Sequence, residues 1–150
     1  MNKNPEIAAI GFASVGHTLC HLLTLLFPTV LLVLEVEMDL SFKELAALAV
    51  PAAFLFGAGA LPAEWLGDRW CKTRLLEIYF YGTGSFTILT GFAETPMMLA
   101  FGLSGIGLFA SIYHPVGMSW LVSRTSKTGT ALGLNGLFGS LGFVLAPLVA

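Results

Sequence analysis

Residues Gly16 to Pro28 read GHTLCHLLTLLFP and lie inside an apolar run that extends from Ala8 to Leu34. A helix rises about 1.5 Å per residue, so this run is long enough to cross a hydrocarbon core of about 30 Å. It is too long for the apolar region of a signal peptide, and further apolar runs follow it, so we interpret it as an uncleaved first membrane span. His17 and His21 lie within this span, where an imidazole that meets only lipid is costly.

The composition places the whole chain in a bilayer. Of its 150 residues, 56% are hydrophobic and 11% are charged, whereas soluble domains carry roughly 25% charged residues. The formal net charge of −2 and the lack of a basic patch exclude a nucleic-acid partner. We expect no enzyme, because the sequence has no nucleophile elbow, no phosphate-binding loop after a strand and no carboxylate pair placed for acid–base chemistry.

Four further apolar runs meet or nearly meet the roughly 20 residues that a helical span needs. The sequence therefore predicts an all-α membrane protein with five transmembrane helices, at approximately 8–34, 45–66, 75–92, 97–122 and 130–150.

The charges of the connecting segments alternate along the chain. Six of the seven basic residues lie in the N-terminus, the second loop and the fourth loop, namely Lys3, Arg69, Lys72, Arg74, Arg124 and Lys127. The first and third loops are acidic. Because basic loops are retained in the cytoplasm, we place the N-terminus on the cytoplasmic side.

Polar side chains follow one face of several predicted helices. Lipid cannot satisfy such groups, so we expect each row to face other helices or a water-filled cavity. At a spacing of three or four residues, the rows are Ser14, His17, His21, Thr24 and Pro28 in the first helix, Thr83, Thr87 and Thr90 in the third, and Ser104, Gly107, Ser111, His114 and Met118 in the fourth.

The depths of the histidines suggest a shared pocket. His17 lies about 13 Å from the cytoplasmic end of its predicted helix, and His114 lies about 12 Å from the same side. We therefore expect both imidazoles at similar heights, with His21 one turn deeper. Thr24 and Ser111 complete the candidate substrate and proton pathway on these two helices.

Two other interpretations of the rows stay open. Hydroxyl groups in membrane helices often bond only the carbonyls of their own helix, and a membrane histidine can simply bond a neighbouring helix. A metal site with His17, His21 and His114 as ligands is a further alternative. We expect no metal and no cofactor, because no cysteine or carboxylate row joins the histidines at that depth.

Two prolines and four glycines carry structural predictions. Pro28 and Pro115 each remove a backbone donor and free a carbonyl one turn back, so both are expected to kink their helices. In the fifth helix, glycine recurs every third residue and should allow close packing on a partner, which we expect beyond Ala150 or in another subunit. These positions are Gly133, Gly136, Gly139 and Gly142.

The loop between the second and third predicted helices, within LPAEWLGDRWCKTRLL at 61–76, is densely charged. Such a loop can act as a cytoplasmic gate, because its salt bridges can form in one state and break in another. The simpler interpretation is an anchor that fixes topology. The candidate gating residues are Asp68, Arg69, Lys72 and Arg74.

These stretches together resemble the major facilitator superfamily. Its signature between the second and third helices reads roughly G-x-x-x-D-R/K-x-G-R/K-R/K, which Asp68, Arg69 and Lys72 match. Glu64 and Cys71 stand where glycines are expected, and Thr73 stands where a basic residue is common. Within the superfamily, the chain is similar to the fosmidomycin-resistance-like group. The stretches of this chain that carry the similarity are GHTLCHLLTLLFP at 16–28, GLFASIYHPVGMSWL at 107–121 and GTALGLNGLFGSLGFVLAPLVA at 129–150.

The resemblance implies a fold of two six-helix bundles built from inverted three-helix repeats. It implies a secondary transporter that works by alternating access, as an antiporter that exports a small organic compound in exchange for protons. The implied location is the bacterial inner membrane. The sequence would then be an N-terminal fragment, an incomplete six-helix bundle that needs the C-terminal half or another chain as its partner.

Two other functions are weighed beside this one. The same scaffold could import a sugar or an organic acid, because transport direction is set by coupling and not by the fold. A different class of function is a small multi-span scaffold or a metal- or haem-binding membrane protein.

Overall fold

The computed structural model describes residues 3–150, with side chains from Pro5 onward, and every regular element in that range is helical. The elements are α1 (Lys3–Met38), α2 (Phe42–Leu48), α3 (Val50–Arg69), α4 (Lys72–Gly91), α5 (Pro96–Ala110), a π-helical turn (Tyr113–Gly117), α6 (Met118–Val122) and α7 (Thr128–Val149). The short helices continue their neighbours, so α2 with α3, and α5 with the π turn and α6, form single rods. Each of the five predicted runs corresponds to one rod, and the predicted all-α membrane fold is confirmed.

The observed helices extend beyond most of the predicted spans. Helix α1 runs from Lys3 to Met38 rather than from Ala8 to Leu34, because hydropathy marks the part of a helix that tolerates lipid, not the whole helix. Ser41 begins α2 with a capping box, in which its hydroxyl accepts from the backbone N–H of Glu44 while the Glu44 carboxylate accepts from the backbone of Ser41. Thr95 caps α5 with its hydroxyl alone, which accepts from the backbone N–H of Met98, and Pro96 is at the first helical position.

Within the described part of the chain, four rods are long and apolar enough to cross a membrane, namely Pro5–Met38, Phe42–Arg69, Pro96–Val122 and Thr128–Val149. Helix α4, which contains most of the predicted third span, is long enough to cross a membrane but is not apolar enough to be among these four. Its 20 residues would span about 30 Å, but tyrosines, threonines and charged residues in its first turns lower its hydropathy. Many large apolar side chains on the outside of the bundle are exposed, among them Leu32, Phe54 and Leu137, as expected where lipid is the solvent.

Helix pairs α1–α7, α4–α5 and α3–α5 make the most extensive contacts. Small residues allow two close approaches. A Cβ added at Gly107 would meet the carbonyl of Ala52 in α3, and one added at Gly142 would meet the carbonyl of Thr18 in α1. One buried apolar cluster surrounds Tyr79 and Tyr113, so the bundle core lies directly beside the polar row of α1.

Candidate functional site

The structure brings His17, His21 and His114 together in the interior of the bundle. The ring centroids of His17 and His114 are 5.1 Å apart, and those of His21 and His114 are 5.4 Å apart. His17 is buried, whereas His21 and His114 are half-buried. We call these three residues the histidine cluster. The sequence predicts His17 and His114 at similar heights, with His21 one turn deeper.

His17 is held in place by three contacts of its ring. Its Nδ1 lies 2.9 Å from the backbone carbonyl of Asn135 in α7. A carbonyl only accepts, so Nδ1 carries a proton and donates it; in the neutral imidazole, Nε2 then has the lone pair. That Nε2 lies 3.2 Å from Nε2 of His21. The ring also stacks on Tyr113 with centroids 5.2 Å apart, so its orientation is held from three directions.

A second layer of hydrogen bonds holds the helices around the cluster. The Tyr113 hydroxyl donates to the carbonyl of Ala13 at 2.6 Å and accepts from the Asn135 side-chain amide at 3.0 Å. The Tyr79 hydroxyl donates to the carbonyl of Gly16 at 2.7 Å. Tyrosines of α4 and of the π turn therefore bond the backbone of α1 on either side of Ser14, and Asn135 connects α7 to the same layer.

Two buried polar atoms beside the cluster have no hydrogen-bond partner among the described residues. They are Oγ of Ser14 and Oδ1 of Asn135. Ser14 lies one helical turn before His17, and Asn135 supplies the carbonyl that His17 bonds. Buried polar groups are normally paired, so unsatisfied atoms at this position favour a site that accepts a polar ligand.

Local sequence explains why His114 points into this region. The segment Tyr113–Gly117 reads YHPVG and forms a π-helical turn. Pro115 has no backbone N–H, so the α-helical ladder cannot continue through it unchanged. Such turns occur frequently at functional positions, because they reorient one side chain within a continuous helix.

A cavity of about 260 Å³ lies about one helical turn beyond His21 toward the C-terminal end of α1, and the three histidines do not line it. Thr24 and Pro28 line it, together with Phe56 of α3. The Phe56 ring meets His114 edge-on, with centroids 6.2 Å apart, and so connects the cavity wall to the cluster. On the other side, Phe143 of α7 stacks on His21 at 4.3 Å.

Ser111 is not brought into the cluster. It is buried against α3, where a Cβ added at Gly59 would lie 2.5 Å from the Ser111 hydroxyl oxygen. That hydroxyl donates to the carbonyl of Leu108 in its own helix. The sequence placed Ser111 and His114 on one face, but the backbone leaves the α-helical pattern between them, so the face does not continue.

The other hydroxyl rows follow the simpler interpretation. Thr83, Thr87 and Thr90 each donate to the carbonyl four residues earlier in α4, at 2.6–2.8 Å. Ser104 does the same in α5. These hydroxyls are satisfied within their own helices, as is that of Thr24 in α1. Thr87 and Thr90 also line a second cavity, of about 460 Å³, between α1, α4 and α5.

The charged loop joins α3 and α4 through only two residues, Trp70 and Cys71. Arg69 donates to the carbonyl of Trp65 at 3.2 Å, and its guanidinium lies 4.4 Å from the centroid of that indole ring. Arg74 forms an ion pair with Glu77 at 2.9 Å. Among side chains from Pro5 onward, Asp68 makes no ion pair. The structure therefore shows these cations on neighbours within their own helices.

Cys71 is exposed at the start of α4. The backbone N–H groups of Arg74 and Thr73 stabilise its thiolate and hold the pKa of Cys71 below its usual range. Cys20, the other cysteine, is buried in α1.

The four glycines of α7 divide into two pairs. Gly139 and Gly142 are buried against α1, where added Cβ atoms would meet the His17 ring and the Thr18 carbonyl respectively. Gly133 and Gly136 are exposed and have no atom within 4 Å of such a position. Two glycines therefore have their packing partner within this chain, where the sequence analysis had expected it beyond Ala150 or in another subunit.

Three residues of the site were missed by the sequence analysis, namely Asn135, Tyr79 and Phe143. Asn135 had a usable signal, because a lone amide in an apolar helix is costly and should mark a polar contact. The two aromatic residues had none, since aromatic side chains are common throughout these helices.

Comparison with known proteins gives one match. The family model of the Major Facilitator Superfamily matches residues 9–150. No curated protein and no solved structure matches significantly. The matched range contains the histidine cluster, the charged loop and α7.

Proposed function

This chain belongs to the major facilitator superfamily, a family of secondary transporters, and from that premise we propose that it exports a small organic compound across a bacterial inner membrane. The proposed energy source is the proton gradient, with the N-terminus in the cytoplasm. Direction and coupling rest on the resemblance to the fosmidomycin-resistance-like group. The second bundle that alternating access requires would be supplied by a further segment or by another chain.

The observation that carries this proposal is the meeting of His17, His21 and His114 beside a cavity. Imidazoles inside a membrane bundle are retained at a cost, and they most often mark a pathway. Here they come from α1 and from the π turn, and Thr24 lines the adjoining cavity. We assign the histidine cluster and Thr24 to substrate binding, and we leave Ser111 outside the pathway.

The charged loop supports a mobile cytoplasmic face. Arg69 and Arg74 bond neighbours in their own helices, and Asp68 makes no ion pair among side chains from Pro5 onward. We propose that Asp68 pairs with a cation of this loop, or of a second bundle, in another state of the transport cycle. The proposed gating residues remain Asp68, Arg69, Lys72 and Arg74.

The test is efflux from cells and uptake into everted vesicles that contain the protein with its complete transport unit, with fosmidomycin as the first probe. We expect accumulation in everted vesicles that depends on an inward-acidic proton gradient and is lost when the gradient is collapsed. A variant carrying His17→Ala, His21→Ala and His114→Ala should lose about 90% or more of this transport, the effect of about 1.4 kcal/mol of lost substrate binding.

Ser104→Ala serves as the control, because that hydroxyl bonds only the Ala100 carbonyl of its own helix and Ser104 lines neither of the two cavities beside α1. Unaltered transport in the triple histidine variant would overturn the assigned pathway. Accumulation only under the opposite gradient would replace export by import.

A further inference from the structure

We infer that the histidine cluster is a binding site for a divalent transition-metal ion of the zinc and cobalt class. The inference deepens the proposed function and rests on it only for the role of the ion as cargo or as part of the cargo. Binding itself is a property of His17, His21 and His114.

The donor atoms have a spacing suited to one ion. One nitrogen from each ring can be chosen so that all three lie within 4.8 Å of one another. Nitrogens bound tetrahedrally to one zinc at about 2.0–2.1 Å lie about 3.3–3.4 Å apart. The Nε2 atoms of His17 and His21 are 3.2 Å apart, close to this distance. Both can ligate one ion when His21 carries its proton on Nδ1 instead of donating it from Nε2 to His17. The most distant pair would have to approach by roughly 1–1.5 Å, which rotation of the half-buried rings can provide.

The surroundings of His17 match those of a metal ligand. Its Nδ1–H donates to the Asn135 carbonyl at 2.9 Å, which leaves the Nε2 lone pair directed at the cluster. Ligating histidines commonly donate their second N–H to a carbonyl or a carboxylate, which fixes the tautomer and the ring orientation. Tyr113 stacks on the same ring, so this ligand is oriented before an ion arrives.

The type of donor selects the class of ion. Imidazole nitrogens favour zinc, copper, nickel, cobalt and iron, whereas magnesium and calcium prefer oxygen. Three histidines with an open fourth position form the arrangement of a zinc site that accepts an exogenous ligand rather than that of a closed structural site. The earlier expectation of no metal rested on the lack of a cysteine or a carboxylate, which a site of three imidazoles does not need.

The neutral ligand set also suits release. No carboxylate from residues 5–150 belongs to the cluster, so the ion keeps its charge and needs an exogenous fourth ligand such as water or an oxygen of an organic anion. A site without carboxylates holds a divalent ion less firmly in the membrane interior than one that neutralises it. Reversible binding of this kind is what a transported ion requires.

The experiment measures Co²⁺ and Zn²⁺ binding to the full chain, purified in detergent without a histidine tag. A Cys71→Ser background removes the exposed thiol as an adventitious ligand. We expect one Co²⁺ per chain, visible absorption bands typical of nitrogen ligands in a four- or five-coordinate site, and displacement by Zn²⁺. His21→Gln and His114→Gln should each weaken binding by about tenfold or more, with helicity unchanged in circular dichroism.

The inference is overturned if the cysteine-substituted chain binds no stoichiometric Co²⁺, or if both glutamine variants bind it as tightly as their parent. The parent spectrum alone tests the ligand type, so the result does not depend on how the variants fold. Transport of Zn²⁺ and fosmidomycin in everted vesicles separates the two proposals. Binding without transport of either probe removes the proposed function and keeps the site, whereas transport of fosmidomycin without metal binding does the reverse.

Discussion

Two rows of polar side chains in this bundle have similar spacing but different hydrogen-bond partners. In the α1 row, His17 bonds α7 and His21 approaches the π turn, whereas Thr24 bonds its own helix. The α4 row of threonines bonds only its own backbone. A threonine hydroxyl reaches the carbonyl four residues earlier, whereas an imidazole extends past its own helix and needs partners elsewhere. A periodic polar face therefore indicates a contact between helices only when its side chains cannot be satisfied locally.

The largest expected effect comes from separating the α1 row from α7. Gly142→Val places a side chain against the Thr18 carbonyl, and backbone on one side leaves little room to relax. We expect a loss of about 3 kcal/mol in unfolding free energy, measured by thermal unfolding in detergent. Gly136→Val is the control, since that glycine faces open space, and it should change stability by less than about 0.5 kcal/mol. Equal effects of the two substitutions would contradict the α1–α7 interface.

A smaller loss is expected when the hydrogen-bond layer is interrupted. Tyr113→Phe removes the donor to the Ala13 carbonyl and the acceptor of the Asn135 amide. Both buried groups then lack that partner, which costs about 1–3 kcal/mol. Tyr81→Phe, at an exposed tyrosine of α4, is the control for the same chemical change. If the two variants unfold at the same temperature, this layer does not hold the site.

The α4 row should tolerate substitution. Thr87→Val keeps the side-chain shape and removes a hydroxyl that bonds only Thr83 of the same helix. We expect a change in unfolding free energy within about 0.5 kcal/mol and unaltered transport, measured in the vesicle assay. A clear fall in transport would instead place this row on the pathway and erase the contrast with α1.

The two cysteines test the same contrast without changing stability. The pKa of Cys71 lies below its usual range because backbone N–H groups at the start of α4 stabilise the thiolate. Its alkylation by iodoacetamide should therefore rise with pH earlier than that of an ordinary thiol, whereas Cys20 in the α1 core should react only after unfolding. Mass spectrometry of the alkylated peptides measures both rates, and Cys71→Ser is the control that should leave the folded chain unlabelled.

Comparable labelling of Cys20 in the folded chain would show that the α1 row is open to solvent on that side. A membrane-impermeant maleimide extends the test to orientation. If the proposed orientation holds, it should label Cys71 in everted vesicles and not in intact cells; the opposite labelling would reverse the orientation.

The number of rods and the meeting of His17 with His114 were accessible from the sequence, because hydropathy marks spans and a constant helical rise converts residue number into depth. The position of Ser111 was not, since it depends on a π turn that breaks the constant angle per residue. The partner of Gly139 and Gly142 was also hidden, because small residues show that a helix packs closely but not on which neighbour. The sequence shows that a buried Asn135 amide would be costly without a polar partner, but it does not show which helix provides that partner.

The π turn changes the direction in which side chains after it point around the helix axis. Each residue of an α-helix turns the chain by about 100°, so one additional residue rotates everything that follows relative to everything before. Upstream of the turn, Gly107 docks on α3. Downstream, the Trp120 indole N–H docks on the Thr73 hydroxyl of α4 at 3.0 Å. Conversion of that single turn to regular α-helix would rotate Trp120 away from α4 and leave the contact of Gly107 with α3 in place. The two ends of this rod would then contact their neighbours independently of each other.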